Sequence, residues 1–179
     1  PHQVANALAA AALARSFGVP PAAVRQGLRD FQPAGHRIAD VGTVGGVHYV
    51  DDSKATNTHA ADMSLRAYDP VVWIAGGLAK GQTFDDLVRR HAKRLRAAVL
   101  LGADRGLILE ALRRHAPDVP VVEVTGTDTG AMRDVVRAAA DLAEPGDTVL
   151  LAPGCASWDM FTDYAQRGRE FAAAVTELE

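Results

Sequence analysis

The chain has 179 residues and 18.9 kDa, is 48% hydrophobic and 23% charged, and has a mean hydropathy of −0.02; that is enough apolar chain for one buried core and rules out a disordered or collagen-like polymer. Nineteen Lys and Arg against 22 Asp and Glu give a net charge of −3 and a pI near 6.1, which speaks against general nucleic-acid binding. One cysteine excludes an internal disulfide and a multi-Cys zinc site, and the absence of a secretory leader or of an apolar run of about 18 residues points away from the membrane and gives the cytoplasm as the expected compartment.

Gln3–Phe17 is a run of good helix formers that stops at Gly18, where a left-handed cap fits. Pro20 and Pro21 open a second helix to about Phe31, with Val24, Leu28 and Phe31 spaced for one buried face. Gln32-Pro33-Ala34-Gly35 breaks the helical period, so residues 1–34 read as a helical segment and residues 35–179 as a separate domain. The chain opens at Pro1 without an initiator Met, inside what reads as a helix entry, and a piece of a longer protein is the expectation.

Past the break, Ile38–Val44 and Val47–Val50 flank Gly45-Gly46, a two-residue hairpin turn. Apolar strands at Val71–Ala75, Ala98–Leu101, Val121–Val124 and Thr148–Ala152 then alternate with helices at Thr58–Arg66, Asp85–Arg96, Arg105–His115, Thr129–Ala143 and Asp159–Leu178. Short continuous apolar strands between helices predict an α/β fold: a Rossmann-like, doubly wound, mostly parallel sheet with an N-terminal hairpin. Right-handed crossovers put the loops after Val50, Ala75, Leu101, Val124 and Ala152 on one edge, lining one crevice.

Three of those loops carry chemistry. Asp51-Asp52-Ser53-Lys54-Ala55-Thr56-Asn57 joins carboxylates, an ammonium, hydroxyls and an amide to a helix start that offers free N–H groups to an anion, although the same residues also suit an N-cap with solvated neighbours. Gly76-Gly77-Leu78-Ala79-Lys80-Gly81 lets backbone approach a ligand and offers Lys80 to a carboxylate or phosphate, yet no GxxxxGK[ST] loop or GxGxxG turn is present. Pro153-Gly154-Cys155-Ala156-Ser157-Trp158-Asp159 leaves room for a small polar group near Ser157. Cys155 beside Pro-Gly reads as a packed small residue rather than a nucleophile. Trp158, Phe161 and Tyr164 fall at helical spacing and read as core, with the site-proximal end walling a pocket. His36-Arg37 suits either an anionic nucleotide or an interdomain pair. The histidines lack metal-ligand spacing, and Arg89–Arg94 reads as a solvated helix face.

Taken in order, His2 with Asn6, His36-Arg37, the block Asp52-Ser53-Lys54-Ala55-Thr56-Asn57, Gly76-Gly77 with Lys80-Gly81, and Cys155-Ala156-Ser157 with Asp159, Phe161 and Arg167-Gly168 resemble the C-terminal part of the Mur ligases across essentially the whole chain. The DSKATN block resembles the D-glutamate-adding branch. The resemblance implies a three-domain, ATP- and Mg²⁺-dependent cytoplasmic ligase that joins D-glutamate to UDP-N-acetylmuramoyl-L-alanine in peptidoglycan synthesis through an acyl phosphate. It implies that residues 1–34 end the central ATPase domain and that 35–179 form the C-terminal domain. The N-terminal domain, the rest of the central domain and most Mg²⁺ ligands then lie outside this chain, which would be inactive alone. By that resemblance Lys54, Thr56, Lys80, Ser157, Trp158 and Tyr164 hold D-glutamate, the two lysines meeting its carboxylates from two neighbouring strands. Asn6, His36, Arg37 and Asp52 contact ATP, Asp52 through the ribose and Arg37 toward the phosphates. Gln3, Ala152-Pro153-Gly154, Trp158 and Tyr164 depart from the residues common in the family. Two other readings stay open: a non-catalytic α/β module binding an anionic small molecule, and another Mur or folylpolyglutamate-type ligase.

Overall fold

The computed structural model describes residues 2–31 and 35–178, without the side chains of His2 and Gln3. The sequence break at 32–34 and the departure at Gln3 lie outside what is described. The chain divides into two compact units, Pro1–Ala34 and Gly35–Glu179.

The first unit is a pair of helices, α1 (His2–Ser16) and α2 (Pro21–Asp30). Gly18 takes φ +81°, and the Gly18 and Val19 amides return to the Arg15 and Ala14 carbonyls at 3.0 and 3.1 Å, capping α1 as its glycine predicts. Pro21 supplies the preset φ at the start of α2. The expected buried face does not form: no residue of α2 is buried, and Leu28 and Phe31 are exposed. Two helices enclose too little volume to cover an apolar stripe by themselves.

The second unit is a six-stranded sheet in the order β1-β2-β6-β3-β4-β5. β1 (Ala39–Val44) and β2 (Val47–Asp51) form the antiparallel hairpin through Gly45 and Gly46, at φ +59° and +82°. β2 then runs parallel to β6 (Thr148–Leu151), and β6, β3 (Val71–Gly76), β4 (Leu95–Leu101) and β5 (Val121–Glu123) are all parallel. Connecting helices α3 (Thr58–Leu65), α4 (Asp85–His91) and α5 (Arg105–His115) cover one face. Helices α6 (Ala131–Leu142) and α7 (Tyr164–Thr176) cover the other. Alternation along each strand divides the core: Trp73, Ala75, Ala98, Leu100 and Leu150 face α3–α5, while Val72, Ile74, Val99, Leu101 and Leu151 face α6 and α7. The fold is the expected doubly wound α/β sheet with an N-terminal hairpin.

Four sequence readings change. The predicted helix to Arg96 ends at His91, followed by a 3-10 turn (Ala92–Arg94), and β4 starts at Leu95 rather than Ala98. Residues Asp159–Asp163 are turns, so the last helix starts at Tyr164, and helical spacing does not relate Trp158, Phe161 and Tyr164. His91 leaves the supposed solvated face: it is buried, with Nε2 2.9 Å from Asp62. Finally, β2 and β3 are not neighbours, because β6 is inserted between them.

Candidate functional site

The insertion of β6 sets a switch point, the place where doubly wound sheets open a crevice. After β3 the chain leaves toward the α4 face and after β6 toward the α7 face, so the carboxyl ends of these adjacent strands diverge, as at ligand-binding switch points of doubly wound sheets. The loops after β2, β6 and β3 meet there; the loop after Val124 lies at the far edge, two strands from β3, and does not join it.

These loops are bonded to one another. The Gly154 amide donates to the Ala55 carbonyl at 2.8 Å. Leu78 and Ala156 exchange two backbone bonds, at 2.9 and 3.0 Å. Gln82 accepts from the Thr58 amide at 2.8 Å and donates to the Ala79 carbonyl at 2.9 Å. Gly77, at φ +125°, lies so close to the Ala156 carbonyl that any Cβ would collide with it, which explains the glycine pair. Beyond β4, Asp104 accepts from the Ala79 amide at 2.8 Å, and Asp159 accepts from the Ala103 amide at 2.8 Å.

Arg167 is the centre of this cross-linking. It is 1% exposed, donates from Nε to Ser53 Oγ (2.9 Å) and from Nη2 to the Ser53 and Cys155 carbonyls (2.8 and 3.1 Å), and has no carboxylate partner among the described residues. Burial pulls its guanidinium down to about 10. Ser53 passes the connection on, donating to the Tyr164 carbonyl at 2.7 Å. Sequence reasoning gave Arg167 no role beyond the resemblance. The available signal was its place on the buried stripe of α7 with Phe171 and Ala174, where a charge requires a reason.

The lysines stand on either side of the β6 loop. Lys54, half-buried after β2, has its Nζ 5.6 Å from the centre of the Tyr164 ring; Lys80, exposed after β3, has its Nζ 3.8 Å from that of Trp158. Two strand spacings of ~4.8 Å separate the ends of β2 and β3 by roughly 10 Å, within reach of two flexible side chains. Neither ammonium pairs with a carboxylate of the described residues. Between them, Ser157 is buried. Thr56 is partly buried in the β2 loop, and Asn57 caps α3, accepting from the Ala60 amide at 2.9 Å.

Asp51 and Asp52 point to opposite faces, as consecutive residues leaving a strand do. Asp51 faces α7, 2.5 Å from His36 Nδ1 and accepting from the Ser53 amide at 2.8 Å. Gly168 is the platform for that pair, since a Cβ there would strike both His36 and Asp51. Asp52 faces α3, accepting from the Ser64 hydroxyl and, at 3.2 Å, from the Ile38 amide. Burial is the main influence raising its carboxyl above the usual range. Arg37 is exposed beside them, and the Lys54 amide donates to the His36 carbonyl at 3.0 Å, joining the His36-Arg37 segment to the lysine loop. Asn6, on α1, belongs to the first unit. Cys155 is fully buried and its thiol is pushed up to about 12 by desolvation, which agrees with a packing role. The described residues gather no three His, Cys, Asp or Glu side chains fit to hold a metal ion.

The sequence profile described as "Mur ligase, glutamate ligase domain" matches residues 36–155. Among curated relatives, the Streptomyces coelicolor UDP-N-acetylmuramoylalanine--D-glutamate ligase is 70% identical over 99% of this chain and 38% of its own length. The Thermobifida fusca protein of the same name is 67% identical over the same shares. The chain therefore spans well under half the length of these relatives. Among solved structures, MurC from Thermotoga maritima superposes with a TM-score of 0.66 at 16% identity, covering 99% of this chain and 38% of that one. The Mycobacterium tuberculosis folylpolyglutamate synthase solved with ADP superposes at 0.61 with 18% identity, covering 92% and 37%. With the profile covering most of the sheet and the loops that build the crevice, the chain belongs to the Mur ligase family through its glutamate ligase domain.

Proposed function

We propose that this chain is the amino-acid-binding and nucleotide-closing part of an ATP-dependent ligase that adds D-glutamate to UDP-N-acetylmuramoyl-L-alanine. The observation that carries this reading is the pair of ammonium groups, Lys54 and Lys80, without carboxylate partners among the described residues, on either side of the β6 loop at the sheet's switch point. A dicarboxylate supplies the missing charge, with one carboxylate on each lysine. Thr56 and Ser157 offer hydroxyls to the same molecule, while Tyr164 and Trp158 wall it. The high identity to D-glutamate ligases over nearly all of this chain supports that amino acid over others.

Such a grip leaves the α-amine free of cationic contacts. The amine must be unprotonated when it attacks the carbonyl of an acyl phosphate, forming the amide, expelling phosphate and releasing one proton. Binding both carboxylates fixes the amine's approach, and enclosure between loops and a partner domain excludes the water that would hydrolyse the acyl phosphate. On the hairpin side, His36, Arg37 and Asp52 are assigned to ATP; Asn6, on the helical unit, carries an ATP assignment on the resemblance alone. The exposed Leu28 and Phe31 support reading residues 1–34 as the end of a larger central domain. Mg²⁺ is assigned mostly to residues outside this chain, and no step here depends on it. The same reading gives a cytoplasmic enzyme; no helix among the described residues is long and apolar enough to cross a membrane.

The test is phosphate release by the longer protein that contains this chain, with ATP and UDP-N-acetylmuramoyl-L-alanine present. Release that requires D-glutamate and ignores L-lysine, L-alanine and diaminopimelate supports the reading; release driven by another amino acid contradicts it.

A further inference from the structure

The two tryptophans occupy opposite settings. Trp73 is fully buried and donates Nε1–H to the Ala152 carbonyl at 2.8 Å. Trp158 is 65% exposed, and Lys80 Nζ lies 3.8 Å from its ring centre. Both partners of that contact are presented by bonded backbone. The Ser157 carbonyl next to Trp158 accepts from the Met160 and Phe161 amides at 3.1 and 2.9 Å. Lys80, at φ +53°, and Gly81, at φ +79°, lie between the Leu78–Ala156 bridge and the doubly bonded Gln82. A non-glycine residue in the left-handed region is retained only where its surroundings enforce it, so the loop aims this lysine at a definite place. By contrast, Lys54 lies 5.6 Å from its ring, a looser contact.

We propose that Trp158 is a positioning residue that holds the Lys80 ammonium at the crevice mouth by cation–π attraction. This rests on reading the crevice as a dicarboxylate site. The ring occupies one side of the ammonium, and its remaining N–H donors point away from the ring, toward a carboxylate. A lysine stem left free would have to be ordered when ligand binds; held on the indole, it is ordered beforehand, and the gain appears as affinity for the amino acid.

The contact is read directly by NMR of this chain without ligand. The Lys80 ε-methylene protons are expected upfield of those of the other lysines, retaining that shift in Trp158→Phe and losing it in Trp158→Leu. In the longer protein, Trp158→Leu is expected to raise the KM for D-glutamate ~5-fold and Trp158→Phe, which keeps an aromatic face, to raise it less, the change falling on KM rather than kcat in both. An unshifted Lys80 signal overturns the proposal, as does a Leu variant whose KM matches that of the Phe variant. Lys80→Ala separates the failures. A large KM increase there beside a neutral Leu variant overturns the role of Trp158 alone, whereas an unchanged KM in Lys80→Ala overturns the dicarboxylate reading with it.

Discussion

Two buried charges in this domain are stabilised in opposite ways. Asp62, on α3, is paired with Arg66 at 2.8 Å and Arg90 at 3.3 Å and hydrogen-bonded to His91 Nε2 at 2.9 Å. Arg167, under the crevice, has neutral oxygens of Ser53, Cys155 and, at 3.5 Å, Gly76 as its hydrogen-bond partners among the described residues. The anion on the helical flank holds neighbouring helices together through counter-ions. The cation under the crevice holds the loops after β2, β3 and β6 through carbonyl and hydroxyl oxygens rather than through a counter-ion.

Removing Arg167 is expected to have the largest effect on folding. In Arg167→Met the Ser53 and Cys155 carbonyls lose their donor, and a loss of ~3 kcal/mol is expected, seen as a fall of roughly 10 °C in the thermal midpoint of this chain. Arg167→Lys keeps the charge but not the fork, and is expected to recover only part of that stability.

Asp62→Asn is expected to cost about 1–2 kcal/mol at neutral pH, because the surrounding cations lose their shared anion. Burial pushes the Asp62 carboxyl up, but the His91 hydrogen bond and the Arg66, His91 and Arg90 charges outweigh it and the net direction is down. A lowered folded-state value means that Asp62 contributes stability above the ordinary carboxylate range, lost as pH falls through that range and below. Thermal midpoints between about pH 5 and pH 2 are therefore expected to fall less steeply in Asp62→Asn than in the parent.

Asp52 has the opposite sign. Its raised value, due first to burial, means that ionisation opposes folding, so stability present at low pH is lost as pH rises through the folded-state value. Asp52→Asn keeps an acceptor for the Ile38 amide and is expected to be neutral or stabilising by up to ~1 kcal/mol at pH 7. If Asp52 meets the nucleotide as proposed, the same variant of the longer protein binds ATP more weakly. The smallest stability effects are expected at Lys54 and Lys80, where Ala substitutions change folding by less than ~0.5 kcal/mol because neither side chain closes an ion pair.

Much of this was legible in the sequence. Continuous apolar strands separated by helices gave the layered sheet, and Gly18, Gly45-Gly46 and Pro21 marked turns and helix ends where they occur. The polar loops after Val50, Ala75 and Ala152 meet as the parallel crossovers required. Strand order was not legible: whether β6 adds at an edge or inserts beside β2 depends on which faces α5 and α6 cover, and no local periodicity records that. The insertion also changed the site, since Lys54 and Lys80 follow strands that β6 separates rather than neighbouring strands. His91 was misread because its charged neighbours dominate the pattern, while its burial depends on Asp62, 29 positions away. Arg167 escaped for a similar reason, as its partners sit 12 and 114 residues upstream.

The central claim is that two unpaired ammonium groups grip one dicarboxylate. Steady-state kinetics of the longer protein carrying Lys54→Ala or Lys80→Ala test it most directly. Each substitution is expected to raise the KM for D-glutamate at least ~30-fold, the scale of one charge-assisted contact, while the KM for ATP and the thermal midpoint stay near the parent's. D-glutamate kinetics indistinguishable from the parent in either variant would contradict the account.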